Sequence, residues 1–296
     1  MNFIETAPKG SGKSVKIHYA DLGTGKPVVF IHGWPLNHEM WEHQLAELPQ
    51  HNLRCIAYDR RGFGQSDRPW ENYDYDTLAD DLKALLDELD LNDVTLVGFS
   101  MGGGEIARYI GKYGTSRISK VVFISAVTPF MLKTDANTEG VDKEVFDEMV
   151  ENIKKDRPAF FADFGKKFYG VSMISHPVSQ AFLDWNLSHC LMASPKATVD
   201  CVRSFSETDF RFDLTKINVP VLIIHGDADK TVPIKVSGDK TAQLIPQSKY
   251  IVYEGAPHGL FVTEKDKLNA DLLDFISGKQ TNRKSPELEQ SYTNGL

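Results

Sequence analysis

The chain has 296 residues, 41% hydrophobic and 25% charged, the profile of a soluble globular enzyme with one large core. A net charge of −8 excludes the basic surface that nucleic-acid binding needs, and no apolar run reaches the roughly 18 residues of a membrane span. Three cysteines, none spaced as C-x-x-C, and an N-terminus without the apolar stretch of a signal peptide lead us to expect a reducing, cytoplasmic setting.

In chain order, Val15–Ala20 alternates apolar and polar residues and reads as a strand, followed by a glycine turn at 21–25. Val28–Ile31 is continuously apolar, as a strand buried on both faces would be. Glu39–Leu48 reads as a helix and Leu53–Tyr58 as a strand. That strand ends in the glycine-punctuated loop Asp59-Arg60-Arg61-Gly62-Phe63-Gly64-Gln65-Ser66-Asp67. Tyr75–Leu89 carries leucines at helical spacing. Val94–Val97 is a β-branched run cut off by Gly98, and Ser100 follows ahead of three glycines and the helix-like Glu105–Ile110. Val121–Ile124 is a further strand. Such alternation predicts an α/β fold: a mostly parallel twisted sheet with helices on both faces.

From Thr128 to Phe212 the rhythm changes. Val141–Ile153, Pro158–Phe168, Val178–Leu191 and Lys196–Phe205 all read as helices, and no strand intervenes. We therefore expect a helical cap insertion at 128–212 within a core made of 1–127 and 213–278. The cap should cover the strand ends, where open α/β sheets place ligands. Alternation resumes with the strand Val219–Ile224, the helix Ile234–Leu244, the strand Tyr250–Tyr253 and the helix Thr263–Ile276. The polar, aperiodic tail at 279–296 is expected to be disordered.

Gly98-Phe99-Ser100-Met101-Gly102 fits a G-x-S-x-G nucleophile elbow, a strand-to-helix turn so tight that side chains at Gly98 and Gly102 would collide with neighbours. The elbow aims the serine oxygen beside a helix N-terminus, which favours developing negative charge. A serine hydroxyl needs a base, normally a histidine held by a carboxylate, and in hydrolases with this elbow the order is Ser, Asp or Glu, His. The strand ending at Ile224 runs into His225-Gly226-Asp227-Ala228-Asp229. Asp229, further past the strand end, is assigned to orient the histidine. Asp227 is the alternative, and otherwise a turn residue that ties up loop amides. Of nine histidines, His258 alone combines the right order with a loop position, between Pro257 and Gly259. His18 falls in an early strand, His32 shapes a turn before Gly33, and His225 packs. The oxyanion hole needs two backbone N–H groups. One belongs to Met101, the residue after the nucleophile, and Trp34 in the loop His32-Gly33-Trp34-Pro35 is the natural second, since Pro35 has none.

Three other signals do not carry chemistry. Gly10-Ser11-Gly12-Lys13-Ser14 lacks the first glycine and the strand of a phosphate-binding loop. His38-Glu39-Met40-Trp41-Glu42 has glutamate where a zinc protease needs its second histidine. The glycines at 102–104 fit the serine elbow better than a dinucleotide loop. We assign no metal and no cofactor.

These motifs, in this order, resemble the α/β-hydrolases, and within them the cofactor-free (non-haem) haloperoxidases and bacterial aryl esterases and perhydrolases. The likeness spans about residues 14–278 and implies a Ser100–Asp229–His258 triad with Trp34 and Met101 as oxyanion hole. It implies a carboxylesterase acting on aryl and short-chain esters that also forms peracids from a carboxylic acid and hydrogen peroxide. Halogenation then follows in solution, where peracid oxidises halide. Trp-Pro at 34–35 resembles the better perhydrolases, with the Trp34 carbonyl placed to accept a hydrogen bond from peroxide. Leu260 departs from the phenylalanine that relatives often carry. Such relatives commonly form homo-oligomers. Pro35, Phe99, Phe130, Met131 and Val232 are the candidate pocket residues, Phe130 and Met131 because they follow a sheet strand; Phe161 and Phe164 of the insertion are either further pocket residues or packing between insertion and core. A lactonase or C–C bond hydrolase would use the same triad and stays open. A non-catalytic ligand-binding relative is the reading of another class, which the filled triad positions argue against.

Overall fold

The continuously apolar runs form the middle of a single sheet. The computed structural model describes residues 2–6 and 13–278, so the expected disordered tail and Gly10–Gly12 lie outside the described residues. The strands are β1 (Asn2–Glu5), β2 (Lys16–Leu22), β3 (Lys26–Ile31), β4 (Leu53–Tyr58), β5 (Val94–Phe99), β6 (Ile118–Ile124), β7 (Val221–Gly226) and β8 (Lys249–Tyr253). Their order is β1-β2-β4-β3-β5-β6-β7-β8. β1–β2 and β2–β4 pair antiparallel, and the neighbours from β4 to β8 are parallel. Every residue of β5 and β7 is buried, as a strand covered on both faces requires.

The helices are α1 (Glu42–Glu47), α2 (Tyr75–Glu88), α3 (Met101–Tyr113), α4 (Lys143–Lys155), α5 (Arg157–Phe168), α6 (Gln180–Met192), α7 (Pro195–Glu207), α8 (Arg211–Leu214), α9 (Gly238–Leu244), α10 (Leu260–Thr263) and α11 (Lys265–Ser277). α2 buries Leu78, Leu82, Leu85 and Leu86 on one face and starts where the Asp74 side chain accepts the Thr77 N–H at 2.9 Å. Between β6 and β7 the chain is helical, with only isolated bridges at Leu132–Val141 and Thr134–Asn137.

Several boundaries differ from the sequence expectation for local reasons. β7 begins at Val221, because Pro220 has no N–H for the ladder. The predicted helix 39–48 is a 3₁₀ turn, His38–Trp41, followed by the short α1. The predicted helix 234–244 is likewise split, into a 3₁₀ turn and α9, whereas the predicted helix 263–276 is the single helix α11, preceded by the short α10. Helix α3 starts at Met101, so the three glycines form its first turn.

The register aligns the strand ends that matter. Ile31 of β3 lies opposite Gly98 of β5, Phe99 opposite Ile124, and Ile124 opposite Ile224 of β7. The loops leaving β3, β5, β7 and β8 therefore open on one edge of the sheet.

Candidate active site

Ser100 joins β5 to α3 with φ 52° and ψ −116°, a left-handed conformation a non-glycine residue adopts only where the surroundings hold it. Its N–H donates to Ile124 O at 2.9 Å, and its carbonyl accepts from Gly103 and Val127 N–H at 3.0 and 3.2 Å. The tight turn explains both flanking glycines. A Cβ on Gly98 would lie 2.7 Å from Gly102 O, and one on Gly102 would lie 2.4 Å from Ile31 O.

The loops after β7 and β8 bring two more groups to this serine. His258 Nε2 is 3.0 Å from Ser100 Oγ, and His258 Nδ1 is 2.6 Å from Asp229 Oδ2. Because Nδ1 donates to the carboxylate, Nε2 is the acceptor for the serine hydroxyl. The other Asp229 oxygen accepts the Thr231 and Val232 N–H groups, both at 2.8 Å. Burial alone would push the Asp229 carboxyl up, but the charge and hydrogen bonds of His258 and His225 hold it below the usual carboxylate range. Asp227 sits elsewhere in the loop and accepts the Gly255 N–H at 2.7 Å. The His258 ring is clasped by Phe99 and Phe168, with centroids 4.8 and 4.7 Å away.

On the β3 side, Gly33 N–H meets Met40 Sδ at 3.4 Å. Among the described residues, the N–H groups of Trp34 and Met101 have no protein acceptor. The Trp34 indole donates to Thr198 O of α7 at 3.0 Å, and its ring meets Phe161, Phe164 and Phe205 edge-on at 5.5, 5.5 and 5.6 Å. The Trp34–Pro35 peptide is cis.

Ser100 opens into a cavity of about 730 Å³. Trp34, Met131 and Val232 line it, together with Phe146, Phe160, Phe164 and Phe205 from helices α4, α5 and α7. Three expected pocket residues lie outside the lining. Phe99 is fully buried beneath His258, where it supports the ring. Phe130 is absent from that lining and lies under the Arg211 guanidinium, 5.6 Å from its ring centroid. Pro35 is buried and is not part of that lining. Phe160 and Phe164 line the cavity one helical turn apart on α5, whereas Phe161, considered with Phe164 for the pocket, is fully buried against Trp34.

Among the described residues one cluster has ligand types that could hold a metal: His18, His38 and Asp59. Its own hydrogen bonds account for it. Asp59 Oδ1 accepts from His38 N and Nδ1 at 2.8 and 2.7 Å, and Oδ2 accepts from Gln65 N and His18 Nδ1 at 2.8 and 3.2 Å. No helix of the described residues is long and apolar enough to cross a membrane.

The family model for the alpha/beta hydrolase fold matches residues 26–265. The chain is 45% identical over 265 residues to the non-heme chloroperoxidase CPO-A1 of Kitasatospora aureofaciens, covering 89% of this chain and 96% of that protein. It is 42% identical over 266 residues to the bifunctional esterase/perhydrolase DCH of Acinetobacter calcoaceticus, covering 88% and 96%. Among solved structures, it is similar to a bromoperoxidase from Bacillus anthracis, with TM-score 0.88, 48% identity and coverage of 93% and 100%. It is also similar to an esterase from Exiguobacterium antarcticum, with TM-score 0.86, 33% identity and coverage of 93% and 98%.

Proposed function

The chain belongs to the α/β-hydrolase fold family, and from that premise we propose that Ser100, His258 and Asp229 are the catalytic triad of its esterase reaction. The enzyme is an esterase with perhydrolase and haloperoxidase activity. The observation that carries the assignment is the pair of contacts on one imidazole: 3.0 Å to Ser100 Oγ and 2.6 Å to Asp229 Oδ2.

In this reading Ser100 Oγ attacks the acyl carbonyl of an aryl or short-chain ester while His258 Nε2 takes the hydroxyl proton. Charge on the tetrahedral oxygen is met by the N–H groups of Trp34 and Met101, each such donor being worth roughly 2.7–4 kcal/mol. Collapse expels the alcohol, which recovers the proton from His258, and leaves an acyl-enzyme. Water or hydrogen peroxide then attacks, its proton passing to His258 and on to Ser100 Oγ as the acyl group leaves. Water yields the carboxylic acid and peroxide yields the peracid. A carboxylic acid can serve as acyl donor, with water as the leaving group. In solution the peracid oxidises halide: peracid, halide and a proton give carboxylic acid and hypohalous acid.

We also read residues 128–212 as a cap on that site. Its support is the cavity wall, which Phe146, Phe160, Phe164 and Phe205 share with Trp34 and Ser100. The deciding experiment combines fluorophosphonate labelling with burst kinetics on an aryl acetate. We expect stoichiometric labelling at Ser100 and loss of both label and burst in Ser100→Ala. An S100A variant with full esterase activity refutes the assignment.

A further inference from the structure

Beneath the cavity lies a buried polar network that the triad does not use. His32 and Arg60 are 0% and 1% exposed, and neither lines the cavity. The backbone N–H of Arg60 donates to His32 Nε2 at 2.9 Å. A ring nitrogen that accepts carries no proton, so the neutral ring bears its hydrogen on Nδ1. That Nδ1 lies 2.8 Å from Gly33 O and donates to it, joined by the Leu36 N–H at 3.1 Å.

The Gly33 carbonyl and the Trp34 N–H belong to one planar peptide, on which they point in opposite directions. Two donors holding the oxygen on one side therefore aim the N–H to the other. Hydrogen bonds on the carbonyl also polarise the peptide and strengthen its N–H as a donor. Behind His32, Arg60 Nη2 donates to His32 O at 2.8 Å and Arg60 Nε donates to Glu105 Oε2 at 2.9 Å, while Tyr58 OH donates to Oε1. Glu105 is on α3, one turn after Met101. The ion pair thus links the loop bearing Trp34 to the helix bearing Met101.

We propose that His32 is a positioning residue for the oxyanion hole. In the Nδ1–H form set by the Arg60 backbone it orients the Trp34 N–H toward the acyl oxygen, and the Arg60–Glu105 pair holds that loop in register with Met101. The inference rests on the esterase reading above and adds the group that aims one of its two donors. Burial first and the Arg60 guanidinium second push the His32 imidazole down to about 3, so the ring stays neutral wherever the enzyme works.

The test uses the full chain with two substitutions. His32→Leu removes the donor, and His32→Asn returns an amide N–H near the Nδ1 position. An aryl acetate supplies kcat and KM, phenylboronic acid serves as a tetrahedral mimic on Ser100, and urea unfolding reports the fold. H32L should lose about 10–100-fold in kcat with KM changed less than about twofold, since the Trp34 N–H that His32 aims acts on the charged oxygen of the transition state. It should weaken boronate binding by a similar factor, and H32N should recover most of both. If H32L does not fold, His32→Gln, whose amide reaches the Nε2 position and leaves Gly33 O without its donor, is expected to show the same kcat loss. A folded H32L or H32Q with undiminished kcat overturns the proposal, as does an H32N no better than H32L. Labelling of the parent by a fluorophosphonate keeps the two ideas apart. An unlabelled parent removes the triad reading, whereas a labelled parent with an unimpaired H32L removes only the role of His32.

Discussion

The indole N–H of Trp34 donates to the carbonyl of Thr198 at 3.0 Å, which ties the loop after β3 to helix α7. The same residue offers its backbone N–H to the proposed oxyanion hole and its ring to the cavity wall. Trp34→Phe keeps an aromatic ring and the backbone but loses that bond and the second ring of a buried indole. It should lower stability by at least about 0.5–1.5 kcal/mol, the usual net worth of one hydrogen bond, to which the lost ring adds, with KM for an aryl acetate little changed. Urea unfolding beside steady-state kinetics measures both. Trp34→Ala, which also empties a buried aromatic site, should cost about 3–5 kcal/mol.

The two aspartates after β7 have separable jobs. Asp229 fixes the His258 proton on Nδ1, whereas Asp227 ties down Gly255 at 2.7 Å. Asp229→Asn lets the ring flip to the wrong tautomer and should reduce kcat by about 10⁴, the scale such a change has in other Ser-His-Asp triads. Asp227→Asn should keep kcat within a factor of about three, equal to less than 1 kcal/mol in barrier. Comparable losses in the two variants would contradict this division.

That Ser100, Asp229 and His258 meet was legible because each sits on a turn with its own signature directly after an apolar strand. Gly98 and Gly102, Asp227 to Asp229, and Pro257-His258-Gly259 announce their loops, and parallel register puts those loops on one edge. β1 was not legible: Asn2-Phe3-Ile4-Glu5 is too short for a period, and its pairing with Ile17 and His18 is set by tertiary contact. Nor was the direction of the chain after β6. Position after a strand suggested Phe130 for the pocket, but the loop turns its ring under Arg211, 5.6 Å away. The His32–Arg60–Glu105 network escaped for the same reason, since its members lie 28 and 45 residues apart in sequence and only the fold joins them.

Stability should depend on pH through Asp59 and His38. Burial alone would lower the His38 imidazole, but its hydrogen bond to Asp59 and that carboxylate's charge hold it above its ordinary value. Burial alone would raise Asp59, but His18 and His38 hold it below the carboxylate range. Asp59 therefore stabilises the fold above its unfolded value of about 3.9 and loses that contribution as acid takes the pH through the lower folded value. His38 contributes fully below about 6.5 and loses its contribution as pH rises through the raised folded value. The pair is counted once and is worth most near about pH 5, between these limits. His38→Asn keeps an N–H near Asp59 and removes the charge. The stability gap between parent and variant, from urea unfolding, should be wide near pH 5 and narrow by pH 9. A gap that stays constant from pH 5 to pH 9 would show that the charge plays no part.

Pro35 should influence which nucleophile resolves the proposed acyl-enzyme. The proline fixes its own φ and restricts the residue before it, here Trp34. A Trp34 carbonyl so restricted is suited to accept a hydrogen bond from peroxide. Pro35→Leu should lower the rate ratio of peracid formation to hydrolysis by about tenfold, one hydrogen bond's worth of about 1.4 kcal/mol, while hydrolysis of an aryl acetate persists. Product analysis at fixed peroxide gives the ratio, and an unchanged value sets this role of Pro35 aside.

Acyl-chain preference should lie in helix α5. Phe160 and Phe164 stack with centroids 5.8 Å apart at 16°, and both line the cavity beside Trp34 and Ser100. Truncating one ring opens apolar space that a longer acyl chain can fill, and each methylene buried is worth about 0.8 kcal/mol. Four more methylenes, from acetate to hexanoate, set a ceiling of about 3 kcal/mol or roughly 200-fold on the change. Incomplete filling brings the expectation for Phe164→Ala to about tenfold in the ratio of kcat/KM for an aryl hexanoate to that for the acetate. Phe164 is only partly buried, so the stability cost should fall below the about 3–5 kcal/mol of a fully buried Phe→Ala change. Phe130→Ala supplies the contrast. That ring lies under Arg211 outside the lining, so it should leave the ratio unchanged even if it destabilises the fold. A ratio that moves with Phe130 and not with Phe164 would place the acyl pocket on the other side of the serine.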